Sequence, residues 1–478
     1  MLYSMLIEKH LEEKKVILTD HNRDYTYMQL HKRAMSILAY MRRCKAARGT
    51  RVIIRNNNDG DTAAAVLACL AEGVIFVLAS VSDSEEELEY MMKDCSAFII
   101  LNPADIEDSE GAGMEAVRAC KDRVSESEGA YILYTSGTEG EKKGVFACQK
   151  QIIFCCSSML SRLGYRESDR VLCSLPLEFD YGLYQIFLSL LSKARLFLAD
   201  PGVIQMIPGW LHKWRISIFP SVPSVVNLLL KMNYLNQEQL PCLRKITFTG
   251  EYLSVDEIKA IKAVLPLTAV TPMYGITECK RVAVMPEERE DKVMAGSCGL
   301  PLDGVTVYLE GGARTGEGEL VVEGPNVMEG YWQGEEGGFG INPETGVRIY
   351  HTGDLMSIDE EGFLYFKGRC NGLIKSRGYR ISEMEVERLL WRIKGIIECA
   401  VVGVPDTLCG EKIGICVYAH AREVQGLIAE TMWQNSVYRN CYHIYMMTDL
   451  LPRNRNGKID KVKLRRVIHE REECISGK

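Results

Sequence analysis

Apolar runs of two kinds alternate along the first part of the chain. The runs RVIIR from Arg51, VIFVLAS from Val74 and RVLCSLPL from Arg170 suit buried strands, whereas TAAAVLACLAEG from Thr62 has helical spacing and ends at a glycine. Similar strand-like runs are ARLFLAD from Ala194, ISIFPSVPS from Ile216 and KITFTGEYL from Lys245. Strands that alternate with helices favour a largely parallel sheet flanked by helices. The pattern therefore predicts an α/β fold.

The pattern changes twice in the second part of the chain. After Gly299, short alternating segments separated by glycines (VTVYLE, GELVVEG, RIYHTGDLMSID, GFLYFKGR) predict a small β-rich subdomain of antiparallel strands. Past Arg369, the amphipathic helix ISEMEVERLLWRI and the strands ECAVVGVP and KIGICVYAH outline a small α+β domain. The segment GRCNG, Gly368 to Gly372, is the expected boundary. We expect a large N-terminal domain over residues 1–369 and a C-terminal domain over residues 370–478.

Composition narrows the class of protein. The chain has 478 residues, of which 47% are hydrophobic and 25% charged, and its net charge of −7 gives no general attraction to nucleic acid or anionic lipid. Its 17 cysteines are scattered without a CxxC pair, which is typical of buried, reduced thiols. No signal peptide and no apolar run of about 18 residues is seen, so a cytoplasmic protein without a membrane span is expected.

A loop rich in glycine and hydroxyl groups follows the apolar segment YIL at Tyr131. It reads YTSGTEGEKKG, from Tyr134 to Gly144, and it does not satisfy the Walker A pattern. Small residues after a strand let backbone N–H groups approach phosphate oxygens, and a lysine adds a charge-assisted contact. Taken alone, the loop is either an anion site or a solvated turn.

Four further motifs occur in order after this loop. They are MYGITEC from Met273, YHTGDL from Tyr350, GFLYFKGRCNGLIKSRGYRIS from Gly362 and PRNRNGKIDK from Pro452. Together with YTSGTEGEKKGV they resemble the ordered motifs of the adenylate-forming enzymes, which include acyl-CoA synthetases, adenylation domains of nonribosomal peptide synthetases and luciferases. The resemblance covers essentially the whole chain from about Tyr25.

The resemblance implies a two-step reaction. A carboxylate attacks the α-phosphate of ATP to give an acyl-adenylate and pyrophosphate, and a phosphopantetheine thiol on CoA or a carrier protein then takes the acyl group. Because two anions must meet, cations and hydrogen-bond donors have to neutralise the transition state. ATP and Mg²⁺ are therefore the expected cofactors.

The resemblance also assigns roles to single residues. Tyr274 stacks on adenine near Gly250 and Glu251, and Asp354 and Arg369 bind the ribose. Thr277 donates to the α-phosphate and Glu278 holds Mg²⁺. The phosphate loop is matched by Thr135, Ser136, Gly137, Thr138, Gly140 and Lys143.

The C-terminal motifs are expected to act in both half-reactions. By the resemblance, Lys458 bridges the carboxylate and phosphate during adenylation, a task that suits a flexible point cation. The C-terminal domain then rotates about a hinge at Asn371, and the loop around Gly378 lines the pantetheine path. A lone lysine in a polar loop is otherwise merely solvated.

Some positions depart from the family pattern. Glu139 and Lys142 stand where threonine and proline are usual, Gln149 replaces a histidine, and Pro272 removes a possible adenine contact. These changes bear on ATP affinity. Glu139, Lys142 and Gln149 also support a non-enzymatic alternative, in which the chain is a nucleotide-binding partner module that has lost its activity.

The choice of acid centres on LPLEFDYGLYQIF from Leu175, which resembles one wall of the acyl pocket. Phe179 falls where relatives have an aromatic residue or histidine. Asp180 falls where amino-acid-activating relatives pair an aspartate with the substrate ammonium. Alternatively, Asp180 caps the following helix and the substrate is another acid. The sequence leans toward an amino acid or a similar small polar acid.

The acceptor is expected to act in trans, because the chain continues only to Lys478 after Lys458. We predict loading of a carrier-protein thiol. The alternative is an acyl-CoA synthetase that uses free CoA and a fatty or aryl acid. The basic segment KVKLRRVIH from Lys461 is either a solvated helix face or a docking patch for an acidic acceptor.

Overall fold

The computed structural model describes residues 1–108, 124–136, 142–334, 337–377, 379–406, 409–421, 423–453 and 459–476. The side chains of residues 135, 136, 142, 371, 380 and 469–476 lie outside this description.

The helices are distributed over the whole chain, and most of them follow a strand. They are α1 (Leu2–Leu6), α2 (Tyr27–Arg43), α3 (Gly60–Glu72), α4 (Glu85–Asp94), α5 (Gln149–Leu163), α6 (Asp180–Ser192), α7 (Ile207–Lys213), α8 (Pro223–Lys231), α9 (Val255–Val264), α10 (Glu290–Met294), α11 (Glu383–Leu390), α12 (Glu423–Gln434) and α13 (Lys461–Ser476).

The strands of the first part are β1 (Val16–Thr19), β2 (Asp24–Thr26), β3 (Arg51–Asn56), β4 (Ile75–Ser80), β5 (Ile99–Leu101), β6 (Gly129–Ser136), β7 (Lys142–Cys148), β8 (Arg170–Cys173), β9 (Arg195–Leu198), β10 (Ile218–Ser221), β11 (Lys245–Phe248) and β12 (Ala269–Tyr274). Those of the second part are β13 (Ala283–Val284), β14 (Leu300–Pro301), β15 (Thr306–Leu309), β16 (Gly316–Glu323), β17 (Gly330–Tyr331), β18 (Phe339–Ile341), β19 (Arg348–Ile358), β20 (Leu364–Arg369), β21 (Leu373–Ser376), β22 (Tyr379–Ser382), β23 (Ile396–Asp406), β24 (Gly410–Ala419) and β25 (Tyr442–Met446).

Two largely parallel sheets form the bulk of the molecule. One has nine strands in the order β14-β13-β12-β11-β10-β8-β9-β1-β2, parallel from β12 to β1. The other has six, in the order β17-β7-β6-β4-β3-β5, with β5, β3, β4 and β6 parallel. One large apolar cluster includes Phe76 from the second sheet and Leu196 from the first. The α/β prediction is confirmed.

The local signals that predicted α3 act as expected. The Asp59 side chain accepts a hydrogen bond from the Thr62 N–H at 2.8 Å and so caps the start of the helix. Gly73 ends it in the left-handed conformation, with φ of +76°. The predicted helix and its glycine stop are therefore present.

The β-rich and C-terminal parts also take their predicted form. Strands β15, β16, β19, β18 and β20 make an antiparallel sheet. A further sheet, β22-β21-β24-β23 with β25 beside β24, packs its own apolar cluster, which contains Val401 and Ile413, against α11 and α12. Within the described residues, no helix is long and apolar enough to cross a membrane.

Candidate functional site

Three residues assigned to the nucleotide lie in direct contact. Tyr274 is the last residue of β12, while Asp354 and Arg369 are cross-strand partners on β19 and β20. The Tyr274 hydroxyl donates to Asp354 Oδ2 at 2.6 Å, and Arg369 Nε lies 2.7 Å from Asp354 Oδ1. Burial raises the pKa of the Asp354 carboxyl, and Arg369 opposes this shift. The structure thus joins two motifs that are about 80 residues apart in sequence, as the hydrogen bond between residues 274 and 354 shows.

The expected phosphate and magnesium residues meet at a tyrosine. The Tyr331 hydroxyl donates to Glu278 Oε1 at 2.8 Å and lies 3.2 Å from the Tyr350 hydroxyl. Lys143 places its Nζ 5.5 Å from the centre of the Tyr331 ring. This arrangement follows from the sheet, since β7 and β17 pair Val145 with Tyr331. Glu278 therefore binds the Tyr331 hydroxyl, while Lys143 lies over the Tyr331 ring.

The other residues assigned to the nucleotide lie in two turns. Thr277 is half-buried in the turn after β12, and Gly250 follows β11 with φ of +85°, a conformation that favours glycine. Glu251 accepts hydrogen bonds from the N–H and hydroxyl of Ser224 at 2.9 and 3.1 Å. Its carboxylate thereby holds the first turn of α8.

The expected acyl wall is the start of α6. Gly182 permits it, because a Cβ there would lie 2.2 Å from the Pro176 carbonyl oxygen. The alternative in which Asp180 caps this helix does not hold: Phe179 is the N-cap residue, and Asp180 is the first residue of the helix. The Asp180 carboxylate instead accepts a hydrogen bond from Lys280 Nζ at 2.9 Å.

Two buried cations that sequence reasoning missed lie against this wall. Lys280 is fully buried, and its Nζ is 4.1 Å from the centre of the Tyr184 ring. Arg281 is 1% exposed, lies 5.4 Å from the Tyr181 ring centre and donates from Nη1 to the Thr249 hydroxyl. The only signal in the sequence was two cations directly after MYGITEC. Tyr331 and Tyr350 were also missed, since a tyrosine carries no sign of its distant partner.

Several predicted residues cannot be placed. Gly137, Thr138, Gly140, Lys458 and Gly378 lie outside the described residues, as does Glu139. Only the backbone is described for Thr135 and Ser136, which end β6. The backbone of Asn371 is also described, and it lies in a short 3₁₀ turn, Cys370–Gly372.

Gln149, one of the departures from the family pattern, serves the fold. Its buried amide donates to the Leu70 carbonyl oxygen at 3.2 Å, and its oxygen accepts from the Leu2 N–H at 3.3 Å. The glutamine therefore ties α1 and α3 to the start of α5.

Comparison with known families decides the class of protein. The AMP-binding enzyme family matches residues 8–332, and the AMP-binding enzyme C-terminal domain matches residues 385–458. This chain belongs to the AMP-binding enzyme family. The resemblance drawn from the motifs is confirmed.

Similar proteins from bacteria are acid ligases of two kinds. An L-proline–[L-prolyl-carrier protein] ligase of Pseudomonas fluorescens is 26% identical over 95% of this chain and 96% of its own length. A 2-succinylbenzoate–CoA ligase of Bacillus pumilus is 26% identical over 96% of this chain and 97% of its own. The AMP-binding chain is thus an AMP-forming acid ligase by family.

Solved structures share the fold. ATP-bound MatB from Rhodopseudomonas palustris superposes with a TM-score of 0.85 at 23% identity and covers 98% of both chains. VinN in complex with L-aspartate gives a TM-score of 0.65 at 29% identity, over 77% of this chain and 98% of its own. The large N-terminal and small C-terminal parts of this AMP-binding enzyme match the first of these folds along nearly its whole length.

Proposed function

We propose that this enzyme activates a small polar carboxylic acid with ATP and transfers the acyl group from the adenylate to a phosphopantetheine thiol. The contact group of Tyr274, Asp354 and Arg369 is the observation that carries the proposal. A buried carboxylate held by a tyrosine hydroxyl and an arginine is a rigid acceptor for two adjacent ribose hydroxyls.

The phosphates belong beside Glu278 and Lys143. Lys143 supplies positive charge and Glu278 a carboxylate, 2.8 Å from the Tyr331 hydroxyl that orients it. One carboxylate suits Mg²⁺, which usually keeps several waters and takes its other ligands from substrate phosphates. When bound, the ion neutralises charge on the phosphates. The chain's own part is to fix the carboxylate and the lysine in place.

For the acceptor we favour a carrier protein in trans. The proline ligase above and a D-alanine–D-alanyl carrier protein ligase of Staphylococcus epidermidis, 29% identical over 77% of this chain and 76% of its own length, act on carrier proteins by name. Free CoA is the second candidate, because the 2-succinylbenzoate ligase is equally similar.

The basic segment of α13 adds less to this choice than expected. Lys461 Nζ binds Glu383 at 2.9 Å and Glu387 at 2.7 Å, and Arg465 binds Glu383 at 2.7 Å. These cations hold α13 against α11. The geometry favours a structural role for them over a docking patch.

Acid-dependent exchange of pyrophosphate into ATP tests the proposal, with Lys458→Ala as the blank. The variant should lose adenylation by about a hundredfold or more, whereas thioester formation from preformed adenylate should fall far less. Equal loss in both half-reactions would contradict the role of Lys458. Absence of exchange with every acid would leave only nucleotide binding and favour the partner-module alternative.

A further inference from the structure

The carboxylate at the start of α6 is already neutralised within the chain. Lys280 Nζ donates to Asp180 Oδ2 at 2.9 Å, and this ammonium is fully buried. The Lys280 ammonium occupies the position beside Asp180 at which the ammonium of an amino-acid substrate was expected. A substrate ammonium brought to Asp180 would have to share this carboxylate with Lys280 and would lie close to the Lys280 ammonium. Repulsion between these two like charges would therefore offset much of the attraction to Asp180.

A second buried cation, Arg281, has no carboxylate of its own among the described residues. Arg281 is 1% exposed, and its Nε has no hydrogen-bond partner among the described residues. The carboxylate that acts on it most strongly is Asp180, which Lys280 already binds. Two cations therefore face one anion in this part of the chain. A buried guanidinium with a free N–H is costly unless an anion or acceptor completes it.

Both cations contact the acyl wall itself. Lys280 lies over Tyr184 and Arg281 over Tyr181, and both tyrosines belong to α6 beside Asp180. The Tyr181 hydroxyl in turn lies 2.6 Å from the Thr247 hydroxyl, and Arg281 binds Thr249 two residues further along the chain. The wall is thus lined by bonded polar groups with one surplus positive charge, which suits neither a fatty chain nor an ammonium.

We propose that the acid activated here carries a second carboxylate and no α-ammonium group. This inference rests on the proposed function and names its substrate class. The reacting carboxylate lies beside the phosphates of ATP. The second carboxylate accepts hydrogen bonds from the Arg281 guanidinium, which binds carboxylates in a fixed planar geometry. Lys280 holds Asp180 and so keeps that anion from repelling the substrate.

Paired substrates test this directly. Short straight-chain and aryl dicarboxylic acids are compared with their monoamides, which keep the shape and remove one charge, and with α-amino acids of similar size. Pyrophosphate exchange should favour each accepted diacid over its monoamide by about ten- to hundredfold, the range of a hydrogen-bonded charge pair. Binding of the matching sulfamoyladenosine analogues, measured by calorimetry, should show the same order.

Variants of Arg281 then assign the preference. Arg281→Gln should bring the diacid-to-monoamide ratio close to one, while Arg281→Lys should keep part of it, because a point charge replaces the planar group. Arg314→Gln, at an exposed arginine between β15 and β16, is the matched control and should keep the full ratio. Unchanged AMP affinity in Arg281→Gln would show that the nucleotide site and the fold are intact.

Each outcome bears on the proposal. Best exchange with α-amino acids or monocarboxylic acids would overturn it while leaving the ligase function standing, and so would a diacid preference that survives Arg281→Gln. If Arg281→Gln does not fold, a wild-type ratio near one overturns the proposal and a high ratio supports it. No exchange with any acid would remove the ligase function, and this inference with it.

Discussion

At the residue scale, the acyl wall should respond to pH through Lys280. Burial lowers the pKa of Lys280 to about 8, although Asp180 raises it. The groups that act on this lysine are Asp180, Arg281 and the Cys155 thiol, and its ammonium also lies over the Tyr184 ring. Below about pH 8 the lysine is charged and neutralises Asp180. Above it, Lys280 is neutral, and Arg281 is then the cation that remains to interact with the Asp180 carboxylate.

We therefore expect the preference for a diacid over its monoamide to fall as pH rises through about 8. The released Asp180 carboxylate competes for Arg281 and repels the second carboxylate of the substrate, so the ratio should drop by about tenfold, as for losing one charge pair. The ratio is measured from the pyrophosphate-exchange rates of each diacid and its monoamide, taken at roughly half-unit pH steps between about pH 6.5 and 9.5. Lys280→Arg, which stays charged throughout, should keep a flat ratio. A similar drop in that variant would assign the effect to another group.

At the element scale, the loop between β12 and β13 carries the residues on which both proposals depend. Tyr274 and Ala283 are paired across the two strands, and the Val282 N–H donates to the Tyr274 carbonyl at 3.0 Å. The loop thus presents Glu278 toward Tyr331 and Lys280 toward Asp180. One backbone turn sets the distance between the nucleotide end and the acyl wall.

Gly275→Ala should disrupt this loop. A Cβ at Gly275 would lie 2.1 Å from the Lys280 carbonyl oxygen and 2.9 Å from Arg281 Nη1, so the turn must open. We expect a loss of about 1–3 kcal/mol in the free energy of unfolding and a larger loss of exchange activity. Urea denaturation and pyrophosphate exchange measure the two effects.

The matched control is Gly209→Ala, in the short helix α7, where a new Cβ meets no atom within 4 Å. It should leave activity unchanged and stabilise the protein by up to about 1 kcal/mol. Equal behaviour of the two variants would show that the loop tolerates a side chain at Gly275.

The same loop shows what the sequence could predict and what it could not. The assignment of Tyr274 and Glu278 to the nucleotide site followed from the motif MYGITEC. The Lys280 contact did not, because Asp180 lies 100 residues away and only the packing of α6 against this loop brings them together. Alternation of strands and helices fixes the layers, but it carries no information on which side chains meet between them. Burial then decides whether a charged side chain such as Arg281 is a solvated group or part of a site.

At the scale of the whole molecule, the C-terminal part contacts the nucleotide side through α11. Arg388 lies 3.9 Å from the centre of the Tyr252 ring and donates to the Phe366 carbonyl at 3.2 Å. Tyr252 directly follows Glu251, and the Ser382 hydroxyl donates to the Lys367 carbonyl nearby at 3.2 Å. Under the proposed rotation of residues 370–478, these contacts belong to one of the two arrangements and are broken in the other.

Arg388→Ala should therefore change the two half-reactions unequally. Removing a partly buried cation–π contact costs about 1 kcal/mol, which shifts a two-state population by about fivefold. Pyrophosphate exchange measures the adenylation rate, and acyl transfer from preformed adenylate measures the rate of thioester formation. We expect the ratio of these two rates to change by about fivefold. The matched control is Arg439→Ala, whose guanidinium lies 4.6 Å from the Trp433 ring centre within the C-terminal part and so does not depend on the rotation. A constant ratio in Arg388→Ala would mean that the α11 contact is kept in both half-reactions, and the hinge proposed at Asn371 would then have to move without separating α11 from Tyr252.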